Sequence, residues 1–335
     1  MSVQNFSLVA FPGSGIQPVE AVEKQDRARY EQNKLDTMSH ETQRAYRSRL
    51  SAFSAWCSDN GRSALPATPS TVAAYLAALE SSGHKAATIA QIVAAIAKAH
   101  RVAGYENPCA SDEVKTARKA AARRLGVAPH QKAAATLPVL RSIVASIEGT
   151  TLKDKRDRAL LLVGFAGAFR RSELAALRVS DLREDRAADG RAVVVVTVRR
   201  SKTDQTGAGM EKAIFSAAGR DKKLCPVRAL REWIAAAGLT GDDPLFQSIR
   251  KGGKPSGAAL SGHHVAKIIQ DRGAAAGVEL ELSGHSLRRG FVTSAIEKGA
   301  SERSIMVQTG HRSPMMVRRY IEQHNVIADN AAALI

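Results

Sequence analysis

The sequence has few cysteines and no long apolar run, and these two absences exclude several classes of protein. Its three cysteines, Cys57, Cys109 and Cys225, are scattered and form neither a CxxC pair nor a disulfide framework. There is no run of about 18 apolar residues, so no membrane span is expected. The N-terminus lacks a basic region followed by an apolar stretch and therefore does not resemble a secretory signal. We expect a protein of the reducing cytoplasm without a structural zinc.

The common signatures of cofactor-dependent catalysis are also missing. The chain has no Walker loop, no GxGxxG after a strand, no HExxH and no GxSxG. No cluster of carboxylates suggests two-metal chemistry on nucleic acids. An enzyme of this sequence that acts on phosphates is therefore expected to do so without an obvious metal site.

Acidic residues are scarce relative to basic ones. Asp and Glu number 32 against 49 Lys and Arg, which gives a net charge of +17 and a pI near 10.1. Such an excess favours a polyanion as partner, above all nucleic acid. A protein with a merely basic surface, or one that binds anionic membrane, would show the same balance. Both halves of the chain are basic, so both are candidates to touch the same polyanion.

A length of 335 residues favours two domains. Residues 1–35 are polar and are expected to be flexible. Residues 36–126 show helical periodicity with caps at Ser39, Thr68 and Ser111. The segment 127–135 contains Pro and no periodicity, which predicts a linker, and residues 136–335 form the second domain.

The second domain is predicted to be helical with one β-rich insertion. Residues 159–169 are apolar on every face, which is typical of a buried helix. Residues 193–198, VVVVTV, predict a strand, and residues 211–215 predict its return strand. The fold expected is mainly α: a helical N-terminal domain and an α+β C-terminal domain with a small antiparallel sheet.

Several local patterns carry groups that could act on a phosphate. Arg170 directly follows the apolar segment, and either Glu173 or a phosphate could be its partner. His285 and Arg288, in HSLRRGF, would share one face near a helix start, where anions are favoured. Taken singly, each pattern has an ordinary structural explanation: a salt bridge, a capping His and a surface Arg.

Two further patterns lie on the β-turn and near the C-terminus. Lys202 falls in the turn between the two predicted strands, where it could donate a proton if neighbouring cations lower its pKa. His311 precedes Tyr320 by nine residues, and Tyr320 lies on the apolar stripe of a helix that begins near Ser313. A tyrosine there is usually a core residue, and a phenol needs nearby cations or a base to become a nucleophile.

Together these pieces resemble the tyrosine site-specific recombinases of the lambda-integrase type. The matching segments are FRRSEL, SKT, GHSLRRGF, TGHRSP and RRYI, in that order along the chain. The resemblance covers nearly the whole chain, because residues 35–100 look like the SAM-like, DNA-clamping core-binding domain of the family. The turn SKTDQTGAGMEKA and the lead-in SGHS are similar to Cre-type enzymes, although His311 stands where Cre itself has a tryptophan.

The resemblance implies a role for each matched residue. Arg170 and Arg288 would bind the non-bridging oxygens of the scissile phosphate, and His285 and His311 would hydrogen-bond it. Lys202 would protonate the leaving 5′-oxygen, and Glu173 would hold its neighbours in place. Tyr320 would attack phosphorus and form a 3′-phosphotyrosyl link, so neither ATP nor metal would be needed.

The family also implies a homotetramer acting on two duplex recombination sites. The C-terminal segment 326–335 is short and amphipathic, and it would either pack on its own domain or dock into a neighbouring subunit. Six residues are candidates for contacts with DNA: Arg44, Arg47, Lys85, Gln91, Arg118 and His263. The protein would act on the DNA of a bacterium, phage or plasmid host.

Other readings remain open at this point. A type IB topoisomerase or a telomere resolvase shares the chemistry of a tyrosine among cations. A basic helical protein could bind DNA without cleaving it, and a basic cytosolic protein could have no nucleic-acid role.

Overall fold

The computed structural model describes residues 40–126, 132–199, 209–217 and 222–311, with 313–315, 317–318 and the isolated residues 26, 29, 30 and 33. The chain divides into two compact units, residues 1–129 and 130–335. The prediction of a mainly helical fold with a small antiparallel sheet in the second unit is confirmed. No helix among the described residues is long and apolar enough to cross a membrane.

Over residues 40–126 the first unit has four α-helices: α1 His40–Asp59, α2 Pro69–Ser81, α3 Ala86–Val102 and α4 Asp112–Leu125. Two of the three predicted caps are confirmed, since the side chains of Thr68 and Ser111 accept hydrogen bonds from the backbone amides of Thr71 and Val114. The third, Ser39, lies outside the described residues. The apolar stripes of the four helices meet in one core, which includes Phe53, Leu76, Ile92, Ile96 and Val114.

Seven helices of the second unit surround a larger core. They are α5 Leu137–Ala145, α6 Leu152–Ala166, α7 Arg171–Ala176, α8 Pro226–Ala237, α9 Gly262–Ala275, α10 Ser286–Glu297 and α11 Glu302–Thr309. Residues 314–315 and 317–318 are also helical, as the Ser-Pro pair before them predicts. The core takes side chains from α5 to α10 and from the sheet.

The buried helix α6 differs in its limits from the sequence prediction. It begins at Leu152 rather than near residue 159, and it ends at Ala166 rather than at 169. Its first turns bury the ion pair of Arg156 with Asp157, and Arg272 of α9 closes this network at 2.7 Å from Asp157. Charged residues can occupy a buried helix when they are paired, which is why hydrophobicity alone misplaced the start.

The sheet of the second unit has three antiparallel strands in the order β1-β2-β3: Leu182–Arg186, Ala192–Val198 and Met210–Phe215. The predicted pair corresponds to β2 and β3. Strand β1 (LREDR) was not predicted, because four of its five residues are exposed and give no apolar alternation. A separate hairpin joins β4 Gln247–Ile249 to β5 Pro255–Ala259, and it too lacks an apolar pattern.

Residues 132–135, at the end of the segment predicted as a linker, are bonded into the second unit. The amide of Ala133 donates to the carbonyl of Glu281, and that of Ala135 donates to the carbonyl of Ser286. Gly290 of α10 lies against this stretch so closely that a Cβ there would be 1.7 Å from the Ala135 oxygen. The stretch is thereby tied to the beginning of α10.

Candidate active site

Arg170 lies at the beginning of α7, directly after the turn that ends α6. It is the N-cap residue, and its amide donates to Glu173 Oε2 at 3.0 Å while its Nη1 lies 2.5 Å from Glu173 Oε1. The Arg170 side chain is 15% exposed and the Glu173 side chain 2%. The salt bridge considered from the sequence therefore exists, and it leaves the guanidinium partly open to an incoming anion.

His285 and Arg288 stand at the beginning of α10, at the spacing read from the sequence. His285 is the exposed N-cap residue, and Arg288 lies three residues later, 6% exposed. Arg288 Nη1 donates to the carbonyl of Ala168 at 2.8 Å. This bond brings α10 to the same α6–α7 turn that precedes Arg170, so the two arginines, 118 residues apart in sequence, approach one turn.

His311 follows the end of α11 and is held by its own helix. Its Nδ1 is 3.0 Å from the Thr309 hydroxyl, and Gly310 between them has a left-handed backbone with φ of 68°. Gln308 anchors the same turn, since its amide donates to the carbonyls of Ala166 and Ala213. The end of α11 is therefore joined both to the end of α6 and to strand β3.

A lysine that the sequence analysis did not select lies within this group. Lys212 of β3 is 2% exposed, and its Nζ donates to the carbonyls of Gly167 at 2.9 Å and Ala168 at 3.3 Å. The same Nζ is 3.7 Å from Glu173 Oε2. The signal was present in the sequence: period-two alternation in β3 places Lys212 on the same inward face as Ile214.

The neighbouring charges shift the pKa values of His311 and Glu173. Burial, with the neighbouring charges of Arg288, Arg170 and Lys212, lowers the pKa of His311 to about 4. Burial would raise the pKa of Glu173, but the charges of Lys212 and Arg170 and the Arg170 amide hold it below its usual value. At neutral pH Glu173 is therefore ionised and His311 neutral, and the two guanidinium groups beside them suit an anion carrying extra negative charge.

Lys202 and Tyr320 lie outside the described residues, as does the C-terminal segment 326–335. In the sequence, Lys202 falls between β2 and β3, and Tyr320 comes two residues after the described residues 317–318. Val317 is fully buried with Val292 and Ile305. The structure therefore brings together Arg170, Glu173, Arg288 and His311, and it adds Lys212 to them.

Most of the residues predicted to contact DNA are exposed. Arg44 and Arg47 lie on the outer face of α1, Arg118 on α4, and His263 near the beginning of α9. Lys85 is the N-cap residue of α3 rather than part of the helix. Gln91 accepts a hydrogen bond from Arg49, so α1 and α3 present a connected polar surface. Over the described ranges, no group of three or more His, Cys, Asp or Glu residues is arranged to hold a metal.

Comparisons with known sequences agree on one family. The model of the phage integrase family matches residues 138–325, and that of the phage integrase N-terminal SAM-like domain matches residues 34–107. An integrase/recombinase XerD homolog from Selenomonas ruminantium is 35% identical over 331 residues, which cover 98% of this chain and 93% of that protein. Tyrosine recombinase XerD from Chlorobaculum tepidum is 26% identical, with 84% and 86% covered.

Solved structures share the fold at lower identity. A lambda integrase tetramer bound to a Holliday junction has a TM-score of 0.59 at 20% identity, with 92% of this chain and 82% of that one covered. Lambda integrase bound to DNA has a TM-score of 0.58 at 21% identity, with 92% and 98% covered. Because the family model spans more than half of the chain and the Selenomonas relative nearly all of it, the chain belongs to the phage integrase family and is a tyrosine recombinase.

Proposed function

We propose that this protein is a site-specific DNA recombinase that cleaves and rejoins duplex DNA through a 3′-phosphotyrosyl intermediate on Tyr320. One observation carries the proposal: three separate parts of the chain converge on the α6–α7 turn. Arg170 ends the turn, Arg288 donates to its Ala168 carbonyl, and Gln308, three residues before His311, donates to the Ala166 carbonyl at its beginning. Two guanidinium groups beside a neutral imidazole suit a phosphodiester whose negative charge grows in the transition state. None of the sequence patterns, taken singly, predicts that these side chains lie close together.

In the proposed reaction the phenolic oxygen of Tyr320 attacks phosphorus, and the bond from phosphorus to the 5′-oxygen breaks. Arg170 and Arg288 bind the two non-bridging oxygens, and Glu173 holds Arg170 in place. His285 assists departure of the phenolic proton, and Lys202 supplies a proton to the leaving 5′-oxygen. The phosphodiester energy is kept in the phosphotyrosyl bond, so attack by a 5′-hydroxyl reverses the step and rejoins a strand.

His311 would hydrogen-bond the phosphate through Nε2. With its pKa lowered to about 4, chiefly by burial and by the neighbouring cations, the ring is neutral at neutral pH. The Thr309 hydroxyl donates its one hydrogen to the carbonyl of Ile305 at 2.7 Å, so His311 Nδ1 carries the ring proton and donates it to the Thr309 oxygen. Nε2 would gain a proton and donate it to a phosphate oxygen when the negative charge of the bound phosphate favours the protonated ring.

The DNA partner is proposed to be a duplex recombination site held by both domains. We assign residues 36–126 to the clamp domain, 127–135 to the connection and 136–335 to the catalytic domain, with the last four residues of the connection bonded to the catalytic domain. The exposed polar side chains of the first domain would meet the duplex, with Arg44, Arg47, Lys85, Gln91 and Arg118 as contacts. His263 would add a contact from the second domain, and the enzyme would act in the cytoplasm, at the nucleoid.

Assembly as a homotetramer is the further part of the proposal. The second domain has an apolar groove of about 450 Å³ between α5, α6, α10 and α11, lined among others by Leu137, Phe165, Phe291 and Ile305. The segment 326–335 offers Val326, Ile327 and Leu334 at helical spacing. We propose that this segment of one subunit docks into the groove of its neighbour. Deleting residues 326–335 should abolish tetramers on DNA, and unchanged assembly would overturn the docking.

Tyr320→Phe tests the chemistry directly. A duplex recovered by the wild-type protein from a random-sequence library is incubated with each variant, and covalent protein–DNA adduct is measured under denaturing conditions. The wild type and the matched control Tyr105→Phe, which alters an exposed tyrosine of the first unit, should form adduct, and Tyr320→Phe should form none. Equal adduct from Tyr320→Phe would refute the enzymatic proposal and favour a non-catalytic DNA-binding protein.

A plasmid assay separates a recombinase from a topoisomerase. Supercoiled plasmids with two copies of the recovered site, or with none, are incubated with the protein. Recombinant circles should appear only when two sites are present. Relaxation at equal rate on both plasmids, without recombinants, would identify a topoisomerase instead.

A further inference from the structure

Lys212 lies in the interior of the second unit, where a lysine side chain destabilises the fold unless it has partners. Its side chain is 1% exposed and points inward from β3 beside the core residue Ile214. An ammonium group removed from water destabilises the fold unless partners compensate. The contacts that compensate here all come from the α6–α7 turn and the first turn of α7.

The α6–α7 turn and the first turn of α7 present three kinds of partner to the Lys212 ammonium. The carbonyls of Gly167 and Ala168 accept its hydrogen bonds, and its Nζ lies 4.8 Å from the centre of the Phe169 ring. Glu173 Oε2 is 3.7 Å away. Ala168 has φ of 46°, the one non-glycine residue with positive φ among the described residues. The hydrogen bonds from Lys212 thus stabilise a turn whose backbone conformation is uncommon for a residue other than glycine.

Each of the two phosphate-binding arginines shares one interaction partner with Lys212. Arg170 shares Glu173 with it, since Glu173 binds Arg170 through Oε1 and faces Lys212 through Oε2. Arg288 shares the Ala168 carbonyl with it, because Arg288 Nη1 donates to the same oxygen at 2.8 Å. We infer that Lys212 is a positioning residue that sets the spacing of the two phosphate-binding arginines. This inference rests on the proposed function.

The geometry favours positioning over proton donation to the leaving group. A general acid must come within hydrogen-bond reach of the atom that it protonates, whereas the Lys212 ammonium is enclosed and directed at two carbonyls and Glu173. The charged and titratable groups around it are Glu173 and Arg170 at α7, Arg288 of α10 and His311 after α11. Burial and the two arginines lower the pKa of Lys212 to about 7, against the opposing effect of Glu173.

The test compares Lys212→Met with Lys202→Met on two substrates. Single-turnover adduct formation is measured at saturating protein, on the recovered duplex with either the normal 5′-oxygen or a sulfur at the bridging position of the scissile phosphate. A thiolate is a good leaving group because thiol pKa values are near 8.5, so sulfur removes the need for a general acid. Binding of uncleaved duplex and the melting temperature of each variant are measured alongside.

We expect Lys212→Met to lose at least tenfold in cleavage rate on both substrates, with duplex affinity within about twofold of wild type. Lys202→Met should lose rate on the oxygen substrate and recover it on the sulfur substrate. Cleavage by Lys212→Met at the wild-type rate overturns the inference, and so does recovery on sulfur, which would make Lys212 the acid. Absence of Tyr320-dependent adduct in the wild type is a separate result, because it overturns the proposed function.

Lys212→Gln is a second, milder variant that keeps the inference testable if Lys212→Met fails to fold. Its neutral amide can still donate to the carbonyls of Gly167 and Ala168, so the turn keeps part of its support. We expect a rate between those of wild type and Lys212→Met, equally reduced on oxygen and sulfur substrates. A wild-type rate for Lys212→Gln would contradict a need for the charge, and selective recovery on sulfur would contradict positioning.

Discussion

The two units of this protein carry positive charge in opposite ways. In the first unit the cations proposed to meet DNA, such as Arg44, Arg47 and Arg118, are exposed on helix faces. In the second unit Arg170, Lys212 and Arg288 are largely buried around one turn and share Glu173 and a carbonyl as partners. Exposed charges attract a polyanion at little cost. Buried charges are expensive, and they are kept where their positions matter.

This contrast between exposed and buried cations predicts the largest loss of cleavage rate for substitutions of the buried arginines. Arg288→Met should reduce single-turnover cleavage by about 10²–10³-fold, as expected when one fixed donor to the transition state is lost. Duplex affinity should change little, because many other cations contribute to binding. Adduct formation at saturating protein is the measurement. Arg228→Met is the matched control, since Arg228 is exposed and paired with Glu232 on α8, and it should cleave like wild type.

An equal loss in both variants would mean that the general basic charge of the second unit drives cleavage. The distinction between buried and exposed cations would then have no catalytic meaning. Circular dichroism of Arg288→Met shows whether its loss reflects chemistry or unfolding.

How much of this could be foreseen from the sequence differs between the arginines and the lysine. The sequence placed Arg170 directly after a buried helix and Arg288 near a helix start. The structure has Arg288 in the first turn of α10, as predicted, and Arg170 at the N-cap of α7, a short helix that was not predicted. Lys212 lies in a strand that was predicted correctly, and the alternation in MEKAIF puts it on the same face as Ile214, but the sequence does not say what would compensate for its buried charge. Its role depends on contacts with residues about 40 positions away, which no local pattern records.

The same contrast explains the errors in the fold. Caps and apolar periodicity located α2, α3 and α4, because the interactions that define them lie within a few residues. The start of α6 was missed because Arg156, Asp157 and Arg272 compensate one another only after distant elements meet. Strand β1 pairs through its backbone with β2, and its side chains give no sign of it.

The lowered pKa of Lys212 predicts that the free energy of unfolding depends on pH above neutrality. Its folded pKa is about 7 and its unfolded value about 10.5, so between these values the unfolded chain binds the extra proton. The free energy of unfolding should therefore rise with pH across this window, by at most about 1.4 kcal/mol per pH unit. Denaturant unfolding of wild type and Lys212→Met at pH 7 to 10 isolates the effect in their difference. A difference independent of pH would show that Lys212 is charged throughout and its burial less costly.

The lowered pKa of His311 predicts a smaller effect of pH on the free energy of unfolding, at acidic pH. Its folded pKa is about 4 against 6.5 when unfolded, so the unfolded chain again binds more protons between these values. Stability should fall as pH drops from about 6.5 to 4, with the same limiting slope. His311→Gln removes that titration, and its unfolding free energy should fall less over the same range. His263→Gln serves as the control, since His263 is exposed, and it should follow wild type.

The smallest individual effects are expected in the first unit. Arg47→Ala should weaken duplex binding several-fold and reduce the slope of log K against log salt by about 1, because one phosphate contact is lost. Cleavage at saturating protein should stay at the wild-type rate. The matched control is Arg124→Ala, because Arg124 is exposed yet already binds Glu80 at 2.5 and 2.7 Å, and its salt slope should not change. A drop in the saturated cleavage rate of Arg47→Ala would remove the contrast between the units, since an exposed cation of the clamp would then be acting on the chemistry of the buried site.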